Sequence, residues 1–320
     1  MAYNFVGNRL DDSKRSVQSL EGRNNSLTSG HRACQGCGEA LGARVALDAA
    51  YKETDGKIVV VNATGCLEVF SCIYPENSWN VPWVHSLFGN APAIATGVAA
   101  GFHTKGEHDV RVIAQGGDGS TADIGFASLS GMFERNDDVL YICYDNQAYM
   151  NTGVQRSGAT IPLTRTATTM PVSGYNGSEI HTGKDMPSLA LAHNIPYVAT
   201  ASVADLKDIE SKVRKAIHIR GARYLHLHVP CPLGWGYDPQ YTIELSRNAV
   251  ESGLFPVYEY VDGQLTKVKK IKDKLPVEEY LKTQRRFAHL FKGGKPRQEL
   301  IDHIQKIADH NIAKYGLMGE

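Results

Sequence analysis

A glycine-rich loop with a single carboxylate follows an apolar, strand-like run in the first half of the sequence. The run at 110–115 leads directly into residues 116–120, which read GGDGS. Glycines at a strand-to-helix turn let backbone amides approach phosphate oxygens, and the N-terminus of a following helix adds unpaired N–H groups and the positive end of a dipole. A carboxylate in such a loop would repel a phosphate. Asp118 therefore makes physical sense if a divalent cation lies between the two, and Mg²⁺ prefers oxygen ligands of this kind.

A second set of oxygen-bearing side chains follows the next strand-like run, at 138–144. Residues 145–148 read DNQA, and Asn146 comes 28 residues after Asp118, an interval that accommodates one crossover helix and one strand. GDG followed at this interval by Asn resembles the motif that binds thiamine diphosphate. By that resemblance the side chains of Asp118 and Asn146 and the backbone carbonyl of Ala148 bind Mg²⁺. GDG alone would indicate only a tight turn, but both elements follow predicted parallel strands, where open α/β sheets bind ligands.

Four of the six cysteines lie in predicted loops where their thiolates could share one metal centre. Cys34 and Cys37 form a CxxC pair, and Cys66 and Cys231 each come directly after a predicted strand. Four thiolates suit either a structural zinc ion or an iron–sulfur cluster. A compact zinc ribbon usually repeats the CxxC pair, whereas the third and fourth cysteines here are single and distant. This pattern favours a cluster and leaves zinc as the alternative.

The other two cysteines are predicted to be small buried apolar side chains. Cys143 lies within an apolar strand, and Cys72 lies six residues past Cys66 and is the alternative to it as third ligand. The N-terminus has no basic stretch followed by an apolar core, and no apolar run in the sequence reaches membrane-spanning length. We therefore expect a cytoplasmic protein, in which disulfides are disfavoured and cysteines serve metal ligation, catalysis or burial.

The elements that must position these residues alternate between strand and helix. Short, nearly continuous β-branched runs predict strands at 57–62, 110–115, 138–144, 196–199 and 224–229. The intervening sequence predicts helices at 39–51, 91–103 and 122–135. Such alternation implies βαβ units and a parallel sheet that is buried on both faces. We predict an α/β fold with a doubly wound, mostly parallel sheet and a C-terminal extension.

Length and composition describe an ordinary globular protein. The chain has 320 residues, of which 42% are hydrophobic and 21% charged, and its formal net charge is zero, so no overall charge favours nucleic acid or an acidic membrane. After Trp235 the sequence becomes rich in Gly, Pro and Tyr and then carries a lysine run at 267–274. We predict a cofactor-binding domain at 1–240 and an extension at 241–320.

Several ordered blocks make the sequence resemble the β subunits of pyruvate and related 2-oxoacid:ferredoxin oxidoreductases. They fall between residues 28 and 290 and read GHRACQGCG, NATGC, FGNAPAIATG, GDGSTADIG, YDNQAYMNTGVQRSGAT, PCPLGWGYDP, GLFPVYE and VEEYLKTQRRF. The resemblance implies a doubly wound α/β domain that binds the diphosphate end of thiamine diphosphate together with Mg²⁺. It also implies one four-iron, four-sulfur cluster near the cofactor.

The resemblance assigns roles to particular residues. The cluster would be held by four cysteines: Cys34, Cys37, Cys66 and Cys231. The diphosphate pocket would be lined by four residues: Gly65, Gly117, Gly119 and Ser120. Asn151 matches an asparagine that points at the substrate. Glu39, close after the CxxC pair, receives no role, because an acidic residue in the first turn of a helix is accounted for by the helix dipole.

The activity implied by the resemblance is the oxidative decarboxylation of a 2-oxoacid, with coenzyme A, to acyl-CoA and CO₂. Thiamine diphosphate supplies the electron sink when CO₂ leaves, and the electrons pass through iron–sulfur clusters to ferredoxin. Pyruvate is the default substrate, and phenylglyoxylate, a branched-chain 2-oxoacid, 2-oxoglutarate and oxalate are alternatives on the same scaffold. Two other classes remain open: a non-redox thiamine decarboxylase or carboligase, and a zinc-containing assembly subunit that binds no thiamine.

Partner subunits are also expected. The sequence contains one α/β module, whereas thiamine enzymes normally hold the aminopyrimidine ring in a second module that supplies an activating Glu. The resemblance implies an α-type subunit carrying that Glu, a γ-type subunit and a ferredoxin-like δ-type subunit. The lysine run at 267–274 is predicted to be a solvated face, with docking of ferredoxin as the alternative.

Overall fold

The computed structural model describes Ser16, Gln18 and residues 24–73, 75–172, 174–179 and 182–319. The expectation that the N-terminus carries no leader, and the first residues of the domain predicted at 1–240, fall largely outside this part of the chain. Within the described ranges, no helix combines the length and the apolar character needed to cross a membrane.

The described residues form ten β-strands. They are β1 (Ile58–Ala63), β2 (Cys72–Ile73), β3 (Glu76–Asn77), β4 (Trp83–Ser86), β5 (Arg111–Gly117), β6 (Val139–Asp145), β7 (Tyr197–Ser202), β8 (Arg223–His228), β9 (Tyr258–Val261) and β10 (Gln264–Val268). The five strands predicted from apolar runs are β1, β5, β6, β7 and β8, and each begins within one residue of its predicted start.

Eight of these described strands form one sheet in the order β10-β9-β7-β8-β6-β5-β1-β4. From β7 to β4 all neighbours are parallel. β9 is antiparallel to β7, and β10 is antiparallel to β9. β2 and β3 form a small separate ribbon. The predicted mostly parallel sheet is confirmed.

Ten α-helices of the described chain surround the sheet. They are α1 (Gly38–Glu53), α2 (Cys66–Ser71), α3 (Ala91–Thr104), α4 (Phe126–Glu134), α5 (Met186–Ala192), α6 (Leu206–His218), α7 (Pro232–Trp235), α8 (Thr242–Glu251), α9 (Val277–Lys282) and α10 (Gln298–Tyr315). A π-helical turn at Ser120–Ile124 precedes α4, and a kinked 3₁₀ segment, Arg285–Gly294, follows α9.

Helices cover both faces of the sheet, as expected for a doubly wound fold. On one face α1 and α6 bury small and β-branched side chains, such as Ala43, Ala46 and Val213, against the strands. On the other face α3 and α5 bury Ala95 and Ala190 and α4 buries larger side chains such as Phe133. The strands between them are apolar on both sides, which explains their nearly continuous hydrophobic runs.

The C-terminal residues form a third apolar cluster beside the sheet. Trp235, Tyr280, Phe287 and Ile304 are among its buried members, and they join α7, α9, the kinked segment and α10. β9 pairs with β7, so part of the predicted extension completes the main sheet. The division of the chain at residue 240 stays a prediction.

Several lysines of the run at 267–274 form ion pairs with carboxylates of the same chain. Lys267 pairs with Asp208 at 3.2 Å, and Lys269 pairs with Asp205 at 2.7 Å. These contacts join the end of β10 and the residue after it to the start of α6. Because the lysine ends remain partly exposed, each pair contributes about 0–1 kcal/mol to stability, as expected for a solvated face.

Candidate cofactor and metal site

Four neighbouring strands place most of the predicted site residues at one edge of the sheet. β8, β6, β5 and β1 lie side by side and run parallel, so their carboxyl ends share that edge. The residues that follow these four strands there are Cys231, Asn146, Asp118 and Cys66, respectively. This is the edge where open α/β sheets bind ligands.

The carboxyl group of Asp118 is almost completely buried, at 1% exposure. The Ser157 hydroxyl donates a hydrogen bond to its Oδ2, whereas its Oδ1 is shielded from water and has no hydrogen-bond partner within the described residues. Burial, and then the neighbouring Asp145 carboxylate, raise the pKa of Asp118 well above its usual range. A cation at Oδ1 would satisfy the free oxygen and keep the group ionised, which fits a Mg²⁺ ligand.

Asn146 also has a free oxygen at this edge. Its Nδ2 donates to Glu39 Oε2 at 3.2 Å, and its backbone carbonyl accepts from Trp235 Nε1 at 2.8 Å. Its Oδ1 is buried and finds no hydrogen-bond partner in the described chain. The amide is therefore held with its nitrogen towards α1 and its oxygen unused, as an oxygen ligand of a cation would be.

Glu39 is a site residue that the sequence did not identify. It lies in the first turn of α1 and is only 3% exposed, against Asn146. Burial raises the pKa of Glu39 to about 7, although the hydrogen bond from Asn146 opposes the rise. Its hydrogen bond from Asn146 links α1 to the loop after β6.

The turn after β6 fixes Ala148 beside these groups. Gln147 has φ of 64°, in the left-handed region that few residues other than glycine adopt. The Gln147 N–H donates to Asp145 Oδ1 at 2.8 Å, and the Thr160 hydroxyl donates to the Gln147 carbonyl at 2.7 Å. Ala148 itself is buried. The residue proposed to offer a backbone carbonyl thus follows a strongly restrained turn.

The two loops contact each other through Tyr149 and Gly119. The Tyr149 hydroxyl donates to the Gly119 carbonyl at 3.2 Å. A Cβ at Gly119 would lie 2.5 Å from the Tyr149 ring, so only glycine allows this approach. At Gly117, the end of β5, the atom nearest to an added Cβ would be the Tyr144 carbonyl oxygen, at 3.9 Å. The backbone of the glycine loop is therefore accessible to a ligand at Gly117, whereas the Tyr149 ring covers it at Gly119.

Three further predicted residues differ in their placement. Gly65 precedes α2 and would carry a Cβ into open space, with nothing within 4 Å. Ser120 is buried and its hydroxyl donates to the Phe88 carbonyl at 2.5 Å. Asn151 lies on an exposed turn. Gly65 thus lies at the carboxyl edge of the sheet. The Ser120 hydroxyl is already used in a hydrogen bond to Phe88, and Asn151 lies at the surface.

Two cysteine-bearing helix starts lie next to each other. The Cys37 thiol caps α1 and the Cys231 thiol caps α7, each by accepting from a backbone N–H three residues on at 3.4 Å. The Gly38 N–H donates to the Pro230 carbonyl at 3.2 Å, which joins the two caps. Cys34 belongs to the same turn, because its carbonyl accepts from the Cys37 N–H at 3.1 Å.

Cys66 lies within electrostatic range of the other three cysteines predicted as cluster ligands. Burial raises the pKa of the Cys66 thiol, and Glu39 and the other three thiols add to the rise. Burial and then Glu39 raise the pKa of Cys37 to about 12, and burial raises that of Cys231 to about 11. Such thiols stay protonated unless a metal centre binds them as thiolates.

The remaining cysteines lie apart from this group. Cys143 is fully buried within β6, and Cys72 is half-buried in β2. The pKa of Cys72 is raised by burial and by Glu68 rather than by another cysteine. Within the described ranges, no three His, Cys, Asp or Glu side chains are spaced to hold a single metal ion.

The fold and this edge define a class of enzyme. The family described as thiamine pyrophosphate enzyme, C-terminal TPP binding domain, matches residues 63–227. That range contains Gly65, the loop at Asp118 and the loop at Asn146. A solved structure titled 2-oxoglutarate:ferredoxin oxidoreductase, from Magnetococcus marinus, superposes with a TM-score of 0.56 and 23% identity. It covers 72% of this chain and 82% of the other, and it supports the fold.

Curated relatives identify the family within this class. Pyruvate synthase subunit PorB of Methanosarcina barkeri is 48% identical over 294 residues, which are 91% of this chain and 97% of the relative. Ketoisovalerate oxidoreductase subunit VorB of Pyrococcus abyssi is 40% identical over 87% of this chain and 88% of the relative. The chain belongs to the family of 2-oxoacid:ferredoxin oxidoreductase β subunits. The resemblance found in the sequence is confirmed, and so is the enzyme class.

Proposed function

We propose that this chain binds thiamine diphosphate, Mg²⁺ and one four-iron, four-sulfur cluster in a complex that oxidatively decarboxylates pyruvate. Coenzyme A would accept the acyl group to give acetyl-CoA and CO₂, and ferredoxin would accept the electrons. The observation that carries the proposal is that two free buried oxygens, on Asp118 and Asn146, and four thiols on neighbouring loops lie at one edge of the sheet.

The metal and diphosphate would be held by the loops after β5 and β6. Asp118 Oδ1, Asn146 Oδ1 and the Ala148 carbonyl would bind Mg²⁺, which in turn would neutralise the diphosphate. The open backbone at Gly65 and Gly117 would let the diphosphate approach. Gly119 and Ser120 would fix the conformation of the loop, because Gly119 packs against Tyr149 and the Ser120 hydroxyl donates to the Phe88 carbonyl.

The cysteines favour a cluster over a structural zinc ion. A zinc ion needs thiolates that converge to about 2.3 Å from a single point, and the described residues offer no group with the spacing for one ion. A four-iron cluster spreads its thiolate ligands over a larger body. The single, widely separated positions of Cys66 and Cys231 in the sequence, unlike the repeated CxxC pair of a zinc ribbon, favour the cluster.

The bound groups would supply an electron sink for loss of CO₂ and an acceptor for single electrons. The chain positions them. Glu39 accepts a hydrogen bond from Asn146 in the cofactor loop and acts electrostatically on Cys37 and Cys66. One buried side chain therefore contacts the proposed cofactor loop and lies close to two of the proposed cluster ligands. Asn151, on its exposed turn, would reach the substrate at the open side of the edge.

Pyruvate is proposed as the substrate because the similar curated chains from Methanosarcina and Thermotoga are named pyruvate synthase subunits. The ketoisovalerate oxidoreductase subunit at 40% identity shows why a screen is needed. Purified complex should reduce a viologen dye with pyruvate and coenzyme A faster than with 2-ketoisovalerate, 2-oxoglutarate, phenylglyoxylate or oxalate. A preference for another acid would change the substrate, and turnover without any acceptor would indicate a non-redox thiamine enzyme.

Partner subunits are part of the proposal. The relatives are named as subunits, and the described chain contains one α/β module. An α-type subunit would supply the Glu that activates the aminopyrimidine ring, and γ-type and ferredoxin-like δ-type subunits would complete the complex. The site edge would then be covered by protein on its open side.

The metal assignment is tested by Asp118→Asn, which keeps the size of the side chain but removes its charge. We expect a folded protein that loses thiamine diphosphate during gel filtration, measured as cofactor per chain. Asp48→Asn is the matched control, because Asp48 is a 2% exposed carboxylate in α1 that accepts from the Ser26 N–H at 2.6 Å. Retention of the cofactor by Asp118→Asn would refute the assignment.

A further inference from the structure

Arg286 is a buried cation that forms no ion pair within the described residues. It is 4% exposed. Its Nε donates to Gln284 Oε1 at 2.8 Å and its Nη2 to the Tyr280 hydroxyl at 3.3 Å. Its Nη1 has no hydrogen-bond partner in the described part of the chain. Both acceptors are neutral, and a buried charge is costly unless an opposite charge lies near it. The position therefore favours a further negatively charged group close to the guanidinium.

Trp235 connects this cation to both loops of the proposed site. The Arg286 guanidinium lies 3.7 Å from the centre of the Trp235 ring, as a cation–π pair. The Trp235 indole donates to the Asn146 carbonyl, and the Trp235 backbone N–H donates to the Cys231 carbonyl at 3.0 Å. One rigid ring thus holds the charge in a fixed place relative to the cofactor loop and the cysteine loop.

The charged groups around Arg286 compensate its charge only from a distance. Asp145 is the nearby carboxylate, but its oxygens already bind the Gln147 N–H at 2.8 Å and His226 at 3.1 Å. Burial lowers the pKa of His228 to about 3, so that ring is neutral at physiological pH. The side chains left are those of tyrosines and of Cys231, which would attract the guanidinium once it is ionised to a thiolate.

Arg286 stays charged despite its burial. Burial lowers the pKa of the guanidinium to about 10, which still leaves it protonated at neutral pH. Cys231 would be a thiolate once it bound the cluster, and the cluster with four thiolates is an anion whose negative charge grows when it takes up an electron. A fixed cation in a low-dielectric interior stabilises the more negative state more strongly.

We propose that Arg286 sets the reduction potential of the proposed cluster, by holding a buried positive charge beside the loop of Cys231. The inference rests on the proposed function, since it requires the cluster. Arg286 is a positioning residue in this scheme: it touches neither substrate nor cofactor, and it acts on the cluster through the electric field. Its removal makes the cluster harder to reduce.

The test is a redox titration of the anaerobically purified complex, followed by electron paramagnetic resonance. The component that belongs to this chain is the one that disappears in Cys66→Ser. Arg286→Gln and Arg286→Met remove the charge, and Met keeps most of the packing against Trp235. We expect both to shift the reduction equilibrium at least tenfold against reduction, which is 59 mV for one electron. Arg286→Lys keeps a charge and should restore most of the shift.

Arg285→Gln is the matched control. Arg285 is the adjacent residue, has the same side chain and is exposed, so water and salt screen its charge, and its loss should move the potential much less. An unchanged potential in Arg286→Gln with a full cluster would overturn the proposal, as would a shift in Arg286→Lys equal to that in Arg286→Gln. Failure of both uncharged variants to retain a folded complex would make the residue structural and would also overturn it. A wild-type chain without a four-iron cluster would instead refute the proposed function.

Discussion

Ser157 determines which oxygen of Asp118 remains available to a ligand. Its hydroxyl occupies Oδ2 and leaves Oδ1 free. The Ser157 backbone N–H is itself held by the Thr160 hydroxyl at 2.9 Å. Partners behind a metal ligand orient it and commonly change metal affinity about 10–100-fold when they are removed. The serine is therefore part of the proposed site although it would not touch the metal.

Ser157→Ala should weaken Mg²⁺-dependent binding of thiamine diphosphate about tenfold or more, because Asp118 would then be free to rotate. Equilibrium binding to cofactor-free complex, by calorimetry at several Mg²⁺ concentrations, measures the effect. Ser178→Ala is the control, since Ser178 is fully buried and its hydroxyl has no hydrogen-bond partner in the described chain. Equal affinities for both variants would exclude a positioning role for Ser157.

Cys66 and Cys72 give contrasting predictions for iron content. Cys66 shares its electrostatic environment with Cys34, Cys37 and Cys231, whereas Cys72 does not. Cys66→Ser should lower iron and acid-labile sulfide per chain, and Cys72→Ser should leave both near the wild-type value. Metal analysis of anaerobically purified variants measures this. Loss of iron in Cys72→Ser alone would make Cys72 the third ligand.

The sequence predicted the proposed metal ligands, but it did not predict the buried residue that contacts one of them. Asp118 and Asn146 were found because a spaced motif connects them. Glu39 was not, because an acidic residue in a first helical turn has an ordinary explanation in the helix dipole. Its burial results from the docking of α1 onto the sheet edge, a tertiary contact that local sequence does not reveal.

At the scale of elements, the start of α1 determines whether the cysteines meet. Gly38 begins the helix, and a Cβ there would lie 2.8 Å from the Pro230 carbonyl oxygen. Backbone cannot move aside as a flexible side chain can. The glycine therefore allows α1 to approach the loop after β8, and this approach brings Cys37 close to Cys231.

Gly38→Ala should separate these two loops, lower the iron content and reduce the free energy of unfolding. Gly101→Ala in α3 is the control, because a Cβ there meets nothing within 4 Å. That substitution should raise helix stability by about 1 kcal/mol. Thermal unfolding and iron analysis of both variants test the pair. Full iron content in Gly38→Ala would show that the close approach is not required.

The strands that the sequence predicted are those buried on both faces, because burial requires the apolar runs that reveal them. β4 is a four-residue edge strand with two exposed members, and β10 is an edge strand with mostly exposed, polar residues. Neither carries a hydrophobic pattern. Their pairing depends on the neighbouring strands β1 and β9, so a local reading of the sequence does not predict them.

At the scale of the molecule, the site edge exposes large apolar side chains. Leu87 follows β4 and is 70% exposed, Ile124 lies in the turn after β5 at 58%, and Val69 in α2 is 46% exposed. All three lie in segments that follow strands at the carboxyl edge. Apolar side chains grouped around a site indicate contact with another protein surface. This agrees with the proposal that a partner module covers the cofactor.

The chain alone should therefore be catalytically silent, because the Glu that activates the aminopyrimidine ring would belong to the partner. Isolated chain reconstituted with thiamine diphosphate, Mg²⁺, iron and sulfide should show no viologen reduction with pyruvate and coenzyme A, and addition of the α-type subunit should restore it. Leu87→Asp should reduce co-purification with that subunit by placing a charge in the interface. Leu265→Asp is the control, since Leu265 is 42% exposed on β10 at the far edge of the sheet. Sustained oxidation of pyruvate by the isolated, homogeneous chain would contradict a site divided between subunits.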